Sequence, residues 1–228
     1  MSTDKKHLRD ATAKPRLGRT PSINQQSIDA AVRKIGARQE ITMQAVAKEL
    51  GVNVTTLYRH TGGLEGVRRI YAEQLSHDLG KMPSPLGKEW RIWLIELAAF
   101  YRQALVANPD LFRFAQAALD PNFLRLEVAT KILTEYGFEA RDAVRAHAFL
   151  INNVVGYVHQ ELQTEAEIAG GSAPTYARLS ETLTNGADQL PMLSELQLDE
   201  ADLDVDINFN YFINYAVNGI AAQAGAPE

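Results

Sequence analysis

Residues Thr42 to His60 read TMQAVAKELGVNVTTLYRH, two short helical stretches joined at a glycine. Ala47, Gly51 and Leu57 stand at offsets of four and six residues, where two helices crossing at a steep angle need special side chains. A small residue at Ala47 lets the second helix approach the first, and Gly51 can take the left-handed conformation that ends the first helix. Val46, Leu50, Val52, Val54 and Leu57 supply apolar contacts between the pair, and Thr42 is placed to cap the first helix. The second helix, Val54 to His60, is only about two turns long. It is too short to bury a core of its own, so its outer side chains are free to enter a groove. This is the spacing of a helix-turn-helix, although an amphipathic hairpin in any all-helical protein can meet the same pattern.

The outer side chains suit nucleic acid. Thr55 and Thr56 open the second helix with hydroxyls and, by expectation, free amides, a combination that binds phosphate. Tyr58, Arg59 and His60 follow with donors long enough for phosphates or base edges in a major groove.

Charge is divided unevenly along the chain. Residues 1–70 hold 13 Lys and Arg against 6 Asp and Glu, whereas residues 71–228 hold 10 against 22. The overall charge of −5 therefore conceals a basic module joined to an acidic one. Neutralising phosphates supplies most non-specific DNA affinity, so a basic end carrying this hairpin is electrostatically coherent.

With 228 residues and no Cys, the chain can bury a substantial core. It offers no disulfide framework, thiol nucleophile or Cys-ligated zinc. No apolar run approaches the length of a membrane span and none near the start resembles a signal peptide, so the expected compartment is the cytoplasm. Residues 1–21, with Lys5, Lys6, Arg9, Lys14, Arg16 and Arg19, read as a disordered basic arm. Such an arm can track a groove or remain an untethered solvated tail. A first helix is expected from Asn24 to Ala37, giving a three-helix module over 22–70. Another follows from Gly63 to Leu79, and Pro83, Pro85 and Gly87 mark a loop.

The remaining pattern predicts helices at Lys88 to Ala107, Pro109 to Ala118, Pro121 to Tyr136, Glu139 to Ile168, Pro174 to Thr184 and Asp206 to Ala222, with a short turn of helix after Pro191. Nothing alternates with period two for long enough to argue a sheet. The fold class is all-α, with a larger helical region over 71–228 following the three-helix module.

The run ITMQAVAKELGVNVTTLYRH resembles the TetR family of transcriptional regulators, most specifically across Asn24 to Tyr71. More loosely, EWRIWLIELAAFYRQAL and NNVVGYVHQ are similar to the tetracycline-repressor branch. The resemblance implies two-fold homodimers that bind palindromic operator DNA and leave it when a small molecule enters the C-terminal domain. By position it implies DNA contacts from Thr42, Gln44, Thr55, Thr56, Tyr58 and His60. Tyr58 and His60 then fall mostly on phosphates, and Arg59, at a variable position, becomes a candidate base reader. The chain departs from the family after His60, where it reads TGGLEG and lacks a phosphate-binding Lys near Leu64. Arg68, Arg69 and the basic arm are the available substitutes.

For a ligand, the aromatic candidates are Trp93, Tyr101 and Phe112. Core packing is the plainer role for these, as for Trp90, Phe100, Phe114 and Phe123. Asn152, Asn153, Gly156 and Gln160 place polar groups in a helix that otherwise reads as buried, and Asn152, Gly156 and Gln160 share a face. A ligand or an interhelical bond at a dimer seam would each satisfy such amides. Tetracycline repressors take a magnesium-bound drug. At the matching positions this chain has Asn152 and Gln160 where that branch has a His and an acid, and neutral amides are poor metal anchors. His147 and His159 are too far apart in sequence for one turn. No metal and no cofactor is therefore expected.

Family precedent places the dimer contact on the helices at 139–168 and 206–222, against a monomer with a buried terminal helix. The resulting expectation is a ligand-responsive regulator, a repressor by family precedent, and not an enzyme. No nucleophile-base pair, phosphate-cradling glycine loop or metal cluster is evident. The alternatives are a helical small-molecule enzyme or binding protein, and a DNA-binding structural protein without an effector.

Overall fold

Apolar residues at helical spacing set the elements of this chain. The computed structural model describes residues 23–36, 40–78, 80–109, 119–120, 122–196, 198–199 and 201–223. Among them there are ten α-helices, two short 3-10 turns and no strand. The expected basic arm lies outside the described residues. So does the expected helix Pro109 to Ala118 beyond Pro109 itself, and with it Phe112 and Phe114.

Helix α1 (Gln25–Gly36) buries Ile28, Ala31, Val32 and Ile35 along one stripe. Its start is closed by a reciprocal cap. The Ser27 amide donates to Asn24 Oδ1 at 2.8 Å, and the Asn24 amide donates to Ser27 Oγ at 3.0 Å. Helix α2 (Met43–Glu49) is capped by Thr42, whose Oγ1 accepts from the Ala45 amide at 3.1 Å, as the sequence predicts. The turn follows at Gly51, which has a φ of 67°, a left-handed conformation that glycine adopts without strain. Val46, Ala47 and Leu57 are buried between α2 and α3 (Val54–Thr61). Val54, expected to help lock the pair, instead stands 36% exposed at the first position of α3.

The TGGLEG departure is a tightly built joint. Gly62 ends α3 in the left-handed region, and its amide donates to Tyr58 O at 2.7 Å. Thr61 is buried, donates through Oγ1 to Leu57 O at 3.1 Å, and accepts from the Gly63 amide at 3.2 Å. Helix α4 (Leu64–Asp78) begins at once and comes so close that a Cβ on Gly66 would sit 1.5 Å from Thr61 O. Only glycine fits there. The α4 residues Val67, Tyr71 and Ala72 are buried, and α4 packs on α1, with the Arg33 guanidinium 5.5 Å from the Tyr71 ring centroid. The expected division after residue 70 therefore falls inside one continuous helix.

Beyond a stapled linker, α5 (Trp90–Ala107) packs against two later helices, α7 (Ala140–Ala169) and α10 (Val205–Gln223). Trp93 Nε1 donates to Pro83 O at 3.0 Å, and the Tyr136 hydroxyl is shared between Lys88 O at 2.8 Å and Pro85 O at 3.0 Å. Helix α6 (Leu124–Glu135) packs along α7. Arg102 on α5 holds Glu161 of α7 through two bonds of 2.7 and 3.0 Å. It also reaches Asp206 of α10 at 2.7 Å. This planar, charge-assisted fork joins three helices at one point. Helices α8 (Thr175–Gly186) and α9 (Pro191–Glu195) bury no residue and form an excursion between α7 and α10.

Gly66→Ala is expected to destabilise the chain by about 3 kcal/mol, the upper part of the overpacking range, because the obstructing atom is a backbone carbonyl. Urea unfolding checks this, and an unchanged midpoint would overturn the close approach.

Candidate nucleic-acid interface and effector cleft

Helix α3 is capped at both ends by residues of its own segment, Asn53 and Gly62, which leaves its outer face open. Asn53 is the N-cap, its Oδ1 accepting from the Thr55 amide at 2.8 Å, while the Thr56 amide donates to Asn53 O at 2.9 Å. Both amides are thus engaged within the helix start, which corrects the expectation that they stand free for phosphate. The hydroxyls remain as donors, with Thr55 exposed and Thr56 half-buried. Tyr58 is 58% exposed, and Arg59 and His60 are exposed beside it. Gln44 is exposed near the start of α2, and the half-buried Thr42 hydroxyl already serves as the cap.

Ion pairing sorts the cations of this module. Arg33 pairs with Asp29 at 2.9 Å, Arg68 with Glu65 at 3.3 Å, and Lys34 with Glu49. Among the described residues Lys48, Arg59 and Arg69 have no acid partner and are exposed. Lys48 was not among the residues singled out by sequence, because a charge tally does not distinguish a paired cation from an available one. Asn53 was also missed, although an Asn just before Val-Thr-Thr is itself a capping signal.

The residues expected around a ligand do not converge. Trp93 and Tyr101 are fully enclosed in the core, and Phe112 lies outside the described residues. Asn152, Gly156 and Gln160 are exposed, and Asn153 is half-buried with its Nδ2 donating to Phe149 O at 2.7 Å. The expectation that this polar stripe lies in a buried helix is corrected. Helix α7 buries Ala143, Ala146, Leu150, Val154 and Val158 on one side and turns the stripe outward. In the core, His147 faces Tyr101 edge-on with centroids 6.2 Å apart, and its buried Nε2 has no hydrogen-bond partner. Burial holds the imidazole down to about 4, opposed by the charge of Asp120. Burial likewise pushes the Tyr101 phenol up to about 12. His159 is exposed farther along α7. No group of three His, Asp or Glu is placed to hold a metal among the described residues.

A cleft of about 600 Å³ lies where the end of α4, the linker and the start of α6 meet. Met82, Pro83, Leu124 and Val128 form apolar walls, with Arg125 among them. The Arg125 Nη2 donates to Ser76 O at 2.5 Å and to Gly80 O at 3.2 Å. A residue of α6 thereby satisfies the Ser76 carbonyl in the last turn of α4, which a helix terminus cannot satisfy for itself, and the Gly80 carbonyl just beyond it.

Residues 82–224 match the family model described as the C-terminal domain of tetracyclin-repressor-like proteins. No curated sequence relative matches the chain. Among solved structures, the chain is similar to the TetR family protein ActR from Streptomyces coelicolor in complex with actinorhodin. The identity is 21% over 89% of this chain and 97% of that one, with a TM-score of 0.74. It is also similar to a TetR variant from Acinetobacter baumannii AYE in complex with minocycline, 21% identical over 89% of this chain and 99% of that one, TM-score 0.63. A third likeness is to BioQ of Mycobacterium smegmatis, 20% identical over 88% and 99% of the two chains, TM-score 0.62. At these identities the likeness is one of fold.

The folded His147 titrates near 4 and the unfolded one near 6.5, so between those values the unfolded chain binds the extra proton. Its contribution to stability is complete above about 6.5, falls as the pH drops, and is lost below about 4. His147→Gln is expected to flatten that part of the stability profile. Urea midpoints of both proteins at about pH 7 and about pH 5 check it, and parallel profiles would refute it.

Proposed function

The chain belongs to the tetracycline-repressor-like family of transcriptional regulators, and from that premise we propose that it represses transcription from a palindromic operator until a small molecule releases it. Members of the family are DNA-binding regulators rather than enzymes. The observation that carries the proposal is the outward face of α3, where Tyr58, Arg59 and His60 stand exposed on a helix fixed at both ends. A rigid short helix with long donors fits a major groove. Phosphate contacts from Tyr58 and His60 would position it and Arg59 would read bases. The exposed Lys48 and Arg69 extend the cationic surface on either side in sequence.

Two such heads require a dimer. Outward faces of α7 and α10 favour it, since Phe149, Tyr211 and Tyr215 are exposed on helices whose other sides are core. Between them runs a groove of about 380 Å³ lined in part by Phe149, Gly219 and Ile220. A second copy seated there would form a four-helix seam, and the Asn152, Gly156 and Gln160 stripe would fall beside it. Such burial is what an isologous contact requires. Effector binding would act through α4, shifting the population toward a conformer whose heads no longer match adjacent major grooves. No described helix is long and apolar enough to cross a membrane.

Replacing Tyr58 and His60 with Ala is expected to weaken binding to mixed-sequence duplex DNA across a salt series, with thermal melting unchanged. Equal affinity in wild type and variant would remove those contacts. Light scattering is expected to give twice the mass of one chain, and a monomer at micromolar concentration would exclude the paired-head arrangement.

A further inference from the structure

We propose that the cleft between α4, the linker and α6 is an effector site for a monoanionic amphipathic molecule, whose anionic head takes Arg125 away from the end of α4; the proposal rests on the effector-responsive reading above.

Arg125 is unusual in what it lacks. Its partners are neutral oxygens: Ser76 O, Gly80 O and, at 3.4 Å, Ser76 Oγ. Among the described residues no carboxylate lies within ion-pairing distance of it. Glu127, two residues along α6, is exposed, and Asp120 uses Oδ2 to accept from the Leu126 amide at 2.8 Å. The guanidinium is half-buried and lies 5.5 Å from the Phe100 ring centroid. A partly desolvated cation held only by carbonyls gains from meeting an anion, because a carboxylate accepts the planar fork through two charge-assisted bonds.

The walls define the rest of the molecule. Met82, Pro83, Leu124 and Val128 offer an apolar bed, so the body of the ligand is hydrocarbon-like. Lys81 and His77 line the same cleft and Glu73 is its acid, a balance that favours one negative charge over several. The cleft of about 600 Å³ falls within the range of small-molecule sites.

Occupancy would bear on α4 directly. When Arg125 turns to the ligand, the Ser76 and Gly80 carbonyls lose their donor and the C-terminal end of α4 is released from α6. Because α4 is joined to α3 by the Gly66 approach to Thr61, the release changes the constraint on the reading helix. A ligand couples to DNA only through such a difference between two states.

The test uses the full chain, with decanoate as probe and 1-decanol as its uncharged counterpart. Calorimetric titration is expected to show saturable decanoate binding and at least about tenfold weaker binding of decanol. Saturating decanoate is expected to lower affinity for a mixed-sequence duplex by about fivefold or more. Arg125→Gln is expected to lose decanoate binding. Val128→Glu, a change at a half-exposed wall position that places a carboxylate in the cleft, is expected to do the same while melting as a folded protein. Absence of saturable decanoate binding, or wild-type binding by a folded Val128→Glu protein, overturns the site while leaving DNA recognition standing. Decanoate binding without any effect on DNA affinity overturns the coupling. Failure of the wild type to bind DNA at all would instead sink the regulator reading itself.

Discussion

Backbone against backbone, where α4 meets the end of α3, sets the constraint on which the regulator depends. A glycine at position 66 lets α4 start against the Thr61 carbonyl, at a separation that no Cβ could share. Thr61 reinforces the joint from within by bridging Leu57 O and the Gly63 amide. The reading helix is thus fixed to the base of α4 by close packing and hydrogen bonds rather than by a flexible loop. Rigid coupling of this kind transmits displacement, since packed elements shift as units instead of deforming continuously.

At its other end α4 is tied to the C-terminal region, so that the helix is clamped twice. Arg125 donates to the Ser76 carbonyl in the last turn of α4 and to the Gly80 carbonyl just beyond it. The linker beyond is stapled by Trp93 to Pro83 and by Tyr136 to Pro85 and Lys88. The two clamps differ in kind. One is steric and made of backbone, whereas the other is a single side chain that makes no ion pair among the described residues. A change of state is therefore easier at the C-terminal clamp than at the N-terminal one.

Local chemistry was the part of this architecture legible in the sequence. Thr42 caps α2, Gly51 turns left-handed and Leu57 is buried, because each depends on residues within a turn or two of itself. Helical periodicity gave the elements and the class, since 3.6-residue stripes report which residues share a face. It could not report which way a polar face points, and so the Asn152 stripe was expected in a buried helix although it turns outward. Nor could it expose the Gly66 approach or the reach of Arg125 to Ser76. Both join separate helices, and neither leaves a pattern along the chain. Among the residues expected to contact DNA, Tyr58, Arg59 and His60 are exposed. The amides of Thr55 and Thr56 were misjudged because the neighbouring Asn53 had gone unread as a cap.

Pairing within the N-terminal module has a consequence for specificity. Arg33, Lys34 and Arg68 are neutralised by acids of the same module, which leaves Lys48, Arg59 and Arg69 as its unpaired cations among the described residues. Each phosphate contact deepens the hold on any sequence alike, so cations already paired within the head add little to a sequence-independent hold. Against a weaker background a preferred site can stand out without being bound with exceptional tightness.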